Sequence, residues 1–131
     1  MTGIDTSVLL RHVLDDDPPQ SRTADRFLSG LTADDPGFVS LVVLAEFVWV
    51  LRRPGTLSRE EVAAVLRGLV HSVEIRLQMH REVEEALAAS EAGGPGFADH
   101  LVAALTRADG VDAGVTFDRA ASRLPGRRLL R

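Results

Sequence analysis

Short apolar segments, too brief to be helices, alternate along this chain with longer amphipathic ones, and that alternation restricts the fold more than any other feature. The spacing predicts a strand over 2–5, and Thr6 or Ser7 then caps a helix whose apolar positions are Val8, Leu9, Leu10 and Val13. Asp15, Asp16, Asp17, Pro18 and Pro19 break it, and Ala24, Phe27, Leu28 and Leu31 define a second helix over 21–31. A turn at 34–37 leads to a second strand over 38–40. The run 41–51 is apolar on nearly all sides with Glu46 at its middle, and its length favours a buried helix, although Val42, Val43, Val48 and Val50 would also suit a strand. Ser58 followed by Glu61 is a capping-box pattern opening a helix to about His71. Val73, Ile75 and Leu77 alternate with polar residues as in a strand, and a helix follows over 80–90.

Gly93, Gly94, Pro95 and Gly96 deliver Asp99 into the first turn of a helix carrying Leu101, Val102, Leu105 and Ala108. A loop over 110–114, a strand over 115–117 ending at Asp118, a helical turn at Pro125 and Gly126, and the apolar pair Leu129 and Leu130 complete the order. Strands that alternate with helices imply an α/β fold, a parallel sheet with helices on both faces. At 131 residues, with no linker or repeat, the chain is expected to fold as a single domain over 1–131.

Composition removes several chemistries. The chain has no cysteine, which excludes disulfides, thiolate metal sites and thiol nucleophiles. No apolar run is long enough to cross a bilayer and nothing at the N-terminus reads as an export signal, so the expected location is the cytoplasm. A net charge of -4 argues against binding nucleic acid by bulk attraction alone. All 15 basic residues are arginine, which suits bidentate phosphate recognition, although biased codon usage explains it as well. His12, His71, His80 and His100 lack a partner at any recognisable catalytic spacing and read as structural or solvent-exposed.

Most of the 19 acidic residues lie in turns or on polar helix faces. Asp5, Glu46, Asp99 and Asp118 differ, because each stands among apolar neighbours: Gly3 and Ile4; Leu44, Ala45, Phe47 and Val48; Phe97 and Ala98; Val115 and Phe117. Burying an ionised carboxylate costs several kcal/mol without compensation, so such acids are expected to need a partner. In open parallel sheets ligands bind beyond the carboxyl ends of strands, where Asp5 and Asp118 stand. Convergent carboxylates without cysteine suit a hard cation, Mg²⁺ or Mn²⁺. Singly, each acid has a plainer reading: Asp5 as a helix cap, Glu46 paired with a buried arginine, Asp99 as a helix-dipole residue, Asp118 as an N-cap.

Jointly, the segments Gly3-Ile4-Asp5-Thr6-Ser7, Leu44-Ala45-Glu46, Phe97-Ala98-Asp99 and Thr116-Phe117-Asp118 resemble the four acidic motifs of PIN domains, specifically the VapC-type toxin ribonucleases. The likeness runs in order over nearly the whole chain. It implies a three-layer α/β/α sandwich with a central parallel sheet of four or five strands. It also implies an Mg²⁺-dependent endoribonuclease, with Asp5, Glu46 and Asp99 as the core metal ligands and Asp118 as the fourth. Thr6, Ser40 and Thr116 would support them from behind. The implied partners are an RNA substrate, a cognate antitoxin protein and a second copy of the chain in a homodimer. Arg11, Arg52, Arg53 and Arg119 are the nearest candidates to contact flanking phosphates, and Val48, Trp49 and Leu51 could serve partner contacts or the core. The rival reading is a catalytically silent PIN-like scaffold that binds RNA or protein. A phosphoacceptor receiver-like domain is disfavoured because the chain has no lysine, and an aspartyl-nucleophile phosphatase because Asp5 is followed by Thr6 and Ser7.

Overall fold

Strand β1 (Thr2–Gly3) feeds directly into helix α1 (Thr6–Leu14) in the computed structural model, which describes residues 1–131. The remaining order is α2 (Pro18–Ser29), β2 (Gly37–Val39), α3 (Leu41–Leu51), α4 (Arg59–His71), β3 (Ile75–Leu77), α5 (His80–Glu91), α6 (Phe97–Ala108), β4 (Gly114–Thr116), a 3-10 helix at Ala121–Arg123 and β5 (Arg127–Leu129). The chain divides into two compact units, Met1–Gln78 and Met79–Arg131.

In the first unit, β1, β2 and β3 form a parallel sheet in that order, with Thr2 opposite Gly37, Phe38 opposite Arg76 and Val39 opposite Leu77. Parallel neighbours require crossovers, and the helices between these strands supply them. Gly37 sits where a side chain has no room: a Cβ there would run into the Ile4 side chain and lie 2.9 Å from Leu31 Cδ1. Helix α1 packs on α2 and α3, and α4 on β3.

The buried stripe of α3 is Leu44, Phe47, Val48 and Leu51, spaced three, four and seven residues apart as one helical face requires. Each such side chain, fully buried, contributes roughly 1.5–3 kcal/mol. The opposite face carries Val42, Ala45, Glu46 and Trp49, all exposed. Two acceptors secure the start of this helix: Ser40 Oγ takes the Val43 amide at 3.2 Å and Gln78 Oε1 takes the Leu41 amide at 2.9 Å. Helix α4 begins with the expected capping box, Ser58 and Glu61 exchanging backbone amides at 3.1 and 3.0 Å.

In the second unit, α5 packs against α6, burying Val83, Ala86 and Leu87 on one helix and Phe97, Leu101, Ala103 and Ala104 on the other. Small residues at these positions allow the helices to approach closely. β4 and β5 pair in parallel, Gly114 opposite Arg127 and Thr116 opposite Leu129. The strands are thus parallel within each sheet, three in the first unit and two in the second, in place of one hydrogen-bonded sheet of four or five.

Several boundaries differ from the sequence reading, among them β1, which ends at Gly3 where the strand was expected to reach Asp5. Helix α2 starts at Pro18, because proline at the first helical positions gives up only N–H groups that have no partner there, and Asp17 accepts the Gln20 amide. Strand β3 is only three residues long, and Val73 stays exposed ahead of it. The turn at Pro125 and Gly126 is followed by a strand, β5, where the sequence suggested only an apolar pair.

Candidate active site

Asp5 stands two residues beyond β1 at the N-cap of α1, yet its carboxylate makes no capping hydrogen bond to the helix amides. It is exposed and accepts only from Ser7 Oγ, at 3.0 Å. The capping explanation for Asp5 is thus not realised. Ser7, two residues along, was not expected as its partner; an Asp-x-Ser spacing at a helix start is the signal that points to it. Thr6, at the first helical position, is buried and its Oγ1 has no hydrogen-bond partner.

Glu46 occupies the middle of α3 on the outward face and makes no ion pair, so a buried arginine does not account for it. Asp99 lies in the first turn of α6, half-buried, where the amide dipoles of the helix favour an anion. Asp118 is exposed and partly employed in the chain's own turn: its Oδ1 accepts the Ala121 amide at 3.0 Å, while its amide donates to Thr116 Oγ1 at 3.0 Å. Ser40 and Thr116 therefore both have local backbone duties.

The apolar neighbours that singled out these acids do not bury them. Three are exposed and Asp99 is half-buried. The physical reason is side-chain direction: on α3 Leu44, Phe47 and Val48 point inward on the 3.6-residue period while Glu46 points out with Ala45, and beside Asp5 it is Ile4 that is buried. Desolvation is accordingly not what demands a cation at these positions.

Asp5 and Glu46 belong to the first unit, Asp99 and Asp118 to the second. No group of three or more His, Cys, Asp or Glu side chains that could hold a metal ion is formed. What each of these acids offers is a carboxylate oxygen, the donor type that Mg²⁺ and Mn²⁺ accept, and none of the four is paired with an arginine.

Other expected contacts resolve into structure. Val48 and Leu51 are core, whereas Trp49 is 64% exposed with the Arg53 guanidinium 4.3 Å from its ring centroid. Arg11 is held by Asp16 at 2.9 Å and Gln20 at 2.6 Å, which removes it as a free phosphate ligand. His12 Nδ1 lies 2.6 Å from Asp25 Oδ1 on the surface. A cavity of about 450 Å³ in the first unit is lined by Leu9, Val13, Leu28, Phe47, Leu69 and Ile75, with Glu74 at its polar side, and none of the four acids lines it.

The family model for the PIN domain matches residues 4–127, a span that contains all four acids and most of both compact units. The chain belongs to the PIN-domain family of nucleases. Among solved structures it is similar to Mycobacterium tuberculosis VapC20, a Sarcin-Ricin loop cleaving toxin, at 19% identity over 93% of each chain with a TM-score of 0.47. No curated protein matches it. No helix is long and apolar enough to cross a membrane.

Proposed function

We propose that this protein is an Mg²⁺-dependent endoribonuclease, with Mn²⁺ as an alternative ion, acting as the toxin of a toxin–antitoxin pair in the cytoplasm. The observation that carries the reading is the PIN-domain match over residues 4–127, a span that includes Asp5, Glu46, Asp99 and Asp118, the acids to which the sequence resemblance assigns the site.

In this reading Asp5, Glu46 and Asp99 hold the ion and Asp118 completes the set. A bound Mg²⁺ supplies polarisation of the scissile phosphate, activation of a water for in-line attack and stabilisation of the leaving oxygen. The chain's residues do the rest. Free carboxylates give the ion ligands that no arginine competes for. Ser7 fixes one oxygen of Asp5, and the turn from Thr116 to Ala121 fixes the backbone and one oxygen of Asp118. Single-stranded or looped RNA is the expected substrate form, because its backbone is accessible there.

An antitoxin and a second copy of the chain are the proposed partners. The exposed apolar side chains Val42 and Trp49, 79% and 64% accessible on either side of Glu46, support a protein contact on that face of α3.

The test is cleavage of a panel of structured RNAs by the purified protein in Mg²⁺, in Mn²⁺ and in EDTA. Metal-dependent cleavage is expected. Cleavage indifferent to chelation would remove the proposed mechanism, and RNA binding without cleavage would replace it with the silent scaffold.

A further inference from the structure

The last fifteen residues of the chain are its most basic stretch, with Arg119, Arg123, Arg127, Arg128 and Arg131 against one acid, Asp118, in a protein of net charge -4. Three of these arginines line one open pocket of about 460 Å³ in the second unit: Arg119, Arg123 and Arg131, together with Ser122, Leu130 and Phe117. None of the three has an ion-pair partner. Phe117, the chain's most exposed aromatic residue, is 78% accessible beside them. Guanidinium groups that line one cavity with no Asp or Glu among its lining residues repel one another, and an anion relieves that repulsion. An aromatic ring held in water is costly for an ordinary surface but is what a nucleobase stacks on.

We infer that this pocket is a nucleotide subsite for single-stranded RNA, in which Arg119, Arg123 and Arg131 grip backbone phosphate and Phe117 stacks a base. The inference rests on the ribonuclease reading and deepens it by naming where the substrate is held. The volume lies in the range of small-ligand sites, about 300–1,000 Å³. Phosphate gripping by a planar, bidentate donor and base stacking are the two contacts a single strand offers whatever its sequence, so the subsite gives affinity and placement more than base choice. Asp118 lies in sequence between two lining residues, Phe117 and Arg119, so a nucleotide seated here brings backbone to the fourth acid's own turn. Sequence alone did not single out the pocket. Its arginines are spread over thirteen residues of turn, 3-10 helix and strand, and only the fold assembles them.

The experiment is fluorescence anisotropy of a short labelled oligouridylate with the full chain in EDTA, where no cleavage occurs, across a salt series. The wild-type chain is expected to bind. Arg123→Ala should weaken binding by about tenfold and lower the salt slope by about 0.7, the share of one phosphate contact on a single strand. Phe117→Ala should weaken binding roughly five- to a hundredfold with the slope unchanged, and Phe117→Trp should restore it. Thermal melts of the same variants, both at exposed positions, exclude misfolding. Absence of binding by the wild type, or unchanged affinity in both alanine variants, overturns the subsite. So does displacement of the RNA by polyglutamate as effectively as by unlabelled oligouridylate, which would mark a site for an acidic protein. Cleavage by the wild type in Mg²⁺ is followed separately. Binding that depends on Phe117 and Arg123 without any cleavage sinks the nuclease reading and leaves the subsite; cleavage with variants that bind normally does the reverse.

Discussion

At the scale of single residues, the four acids separate into those free for chemistry and one that also holds the chain. Asp5, Glu46 and Asp99 make no ion pair, so replacing any of them by alanine removes no strong contact. Asp5→Ala and Asp99→Ala are each expected to reduce RNA cleavage to background while changing stability by no more than about 0.5 kcal/mol, as is usual at surface sites. A cleavage assay beside a urea titration checks this, and an Asp5→Ala protein that still cleaves at the wild-type rate would refute the role. Asp118 needs a different pair of variants. Asp118→Asn keeps an oxygen for the Ala121 amide and loses only charge, whereas Asp118→Ala loses the hydrogen bond as well. If the acid works in catalysis, both lower cleavage, and only the alanine variant destabilises, by about 1 kcal/mol as for a lost cap. The identity of these residues was readable from the chain alone. Their exposure was not, because Glu46 sits among Leu44, Phe47 and Val48 in sequence but faces away from all three on the helix.

Elements were legible in proportion to their length. All six α-helices have enough turns to display a period or a cap, and Ser58 with Glu61 marked the start of α4 to the residue. The strands are two or three residues long, too short for an alternation to be distinctive, and β5 contains Arg127 and Arg128, which hide it further. The short strands place their weight on close packing. Gly37 on β2 has Ile4 and Leu31 where its side chain would be, so Gly37→Ala should cost about 1–3 kcal/mol by overpacking, read from the urea midpoint. An unchanged midpoint would mean that Ile4 moves aside freely. The cap of α4 adds a pH dependence. The Ser58 backbone amide, and then its hydroxyl, hold the Glu61 carboxyl below the usual glutamate range, and the Ser72 hydroxyl, then Glu74's own amide, do the same for Glu74. A carboxyl depressed in the folded state stabilises above its unfolded value, and that contribution is lost as pH falls through the usual glutamate range toward the lower folded value. Stability should therefore decline on the acid side, and Ser58→Ala should cost about 1 kcal/mol at neutral pH while flattening the part of that decline due to Glu61. Parallel pH profiles of the two proteins would contradict the assignment.

For the whole molecule, the proposed metal dependence leaves two routes, uptake of the ion by the free protein or its arrival only with RNA. A net charge of -4 with no arginine on Asp5, Glu46 or Asp99 favours uptake by the protein itself. Anything bound by the folded chain and not by the unfolded one raises its stability, by about 2.7 kcal/mol at a free concentration a hundred times the dissociation constant. Mg²⁺ or Mn²⁺ is therefore expected to raise the Tm in a saturable way that EDTA reverses, and Asp5→Ala and Asp99→Ala are each expected to diminish the rise. General screening of negative charge would also raise the Tm, so the control must lose one acid elsewhere. Asp34, exposed in the turn before β2, is suited to that, and Asp34→Ala should keep the full response. Equal responses in all three variants would assign the effect to screening. A Tm insensitive to both ions, together with cleavage that requires them, would mean that the phosphate of the RNA supplies ligands the protein lacks. The acids would then be partners in a site completed only by substrate.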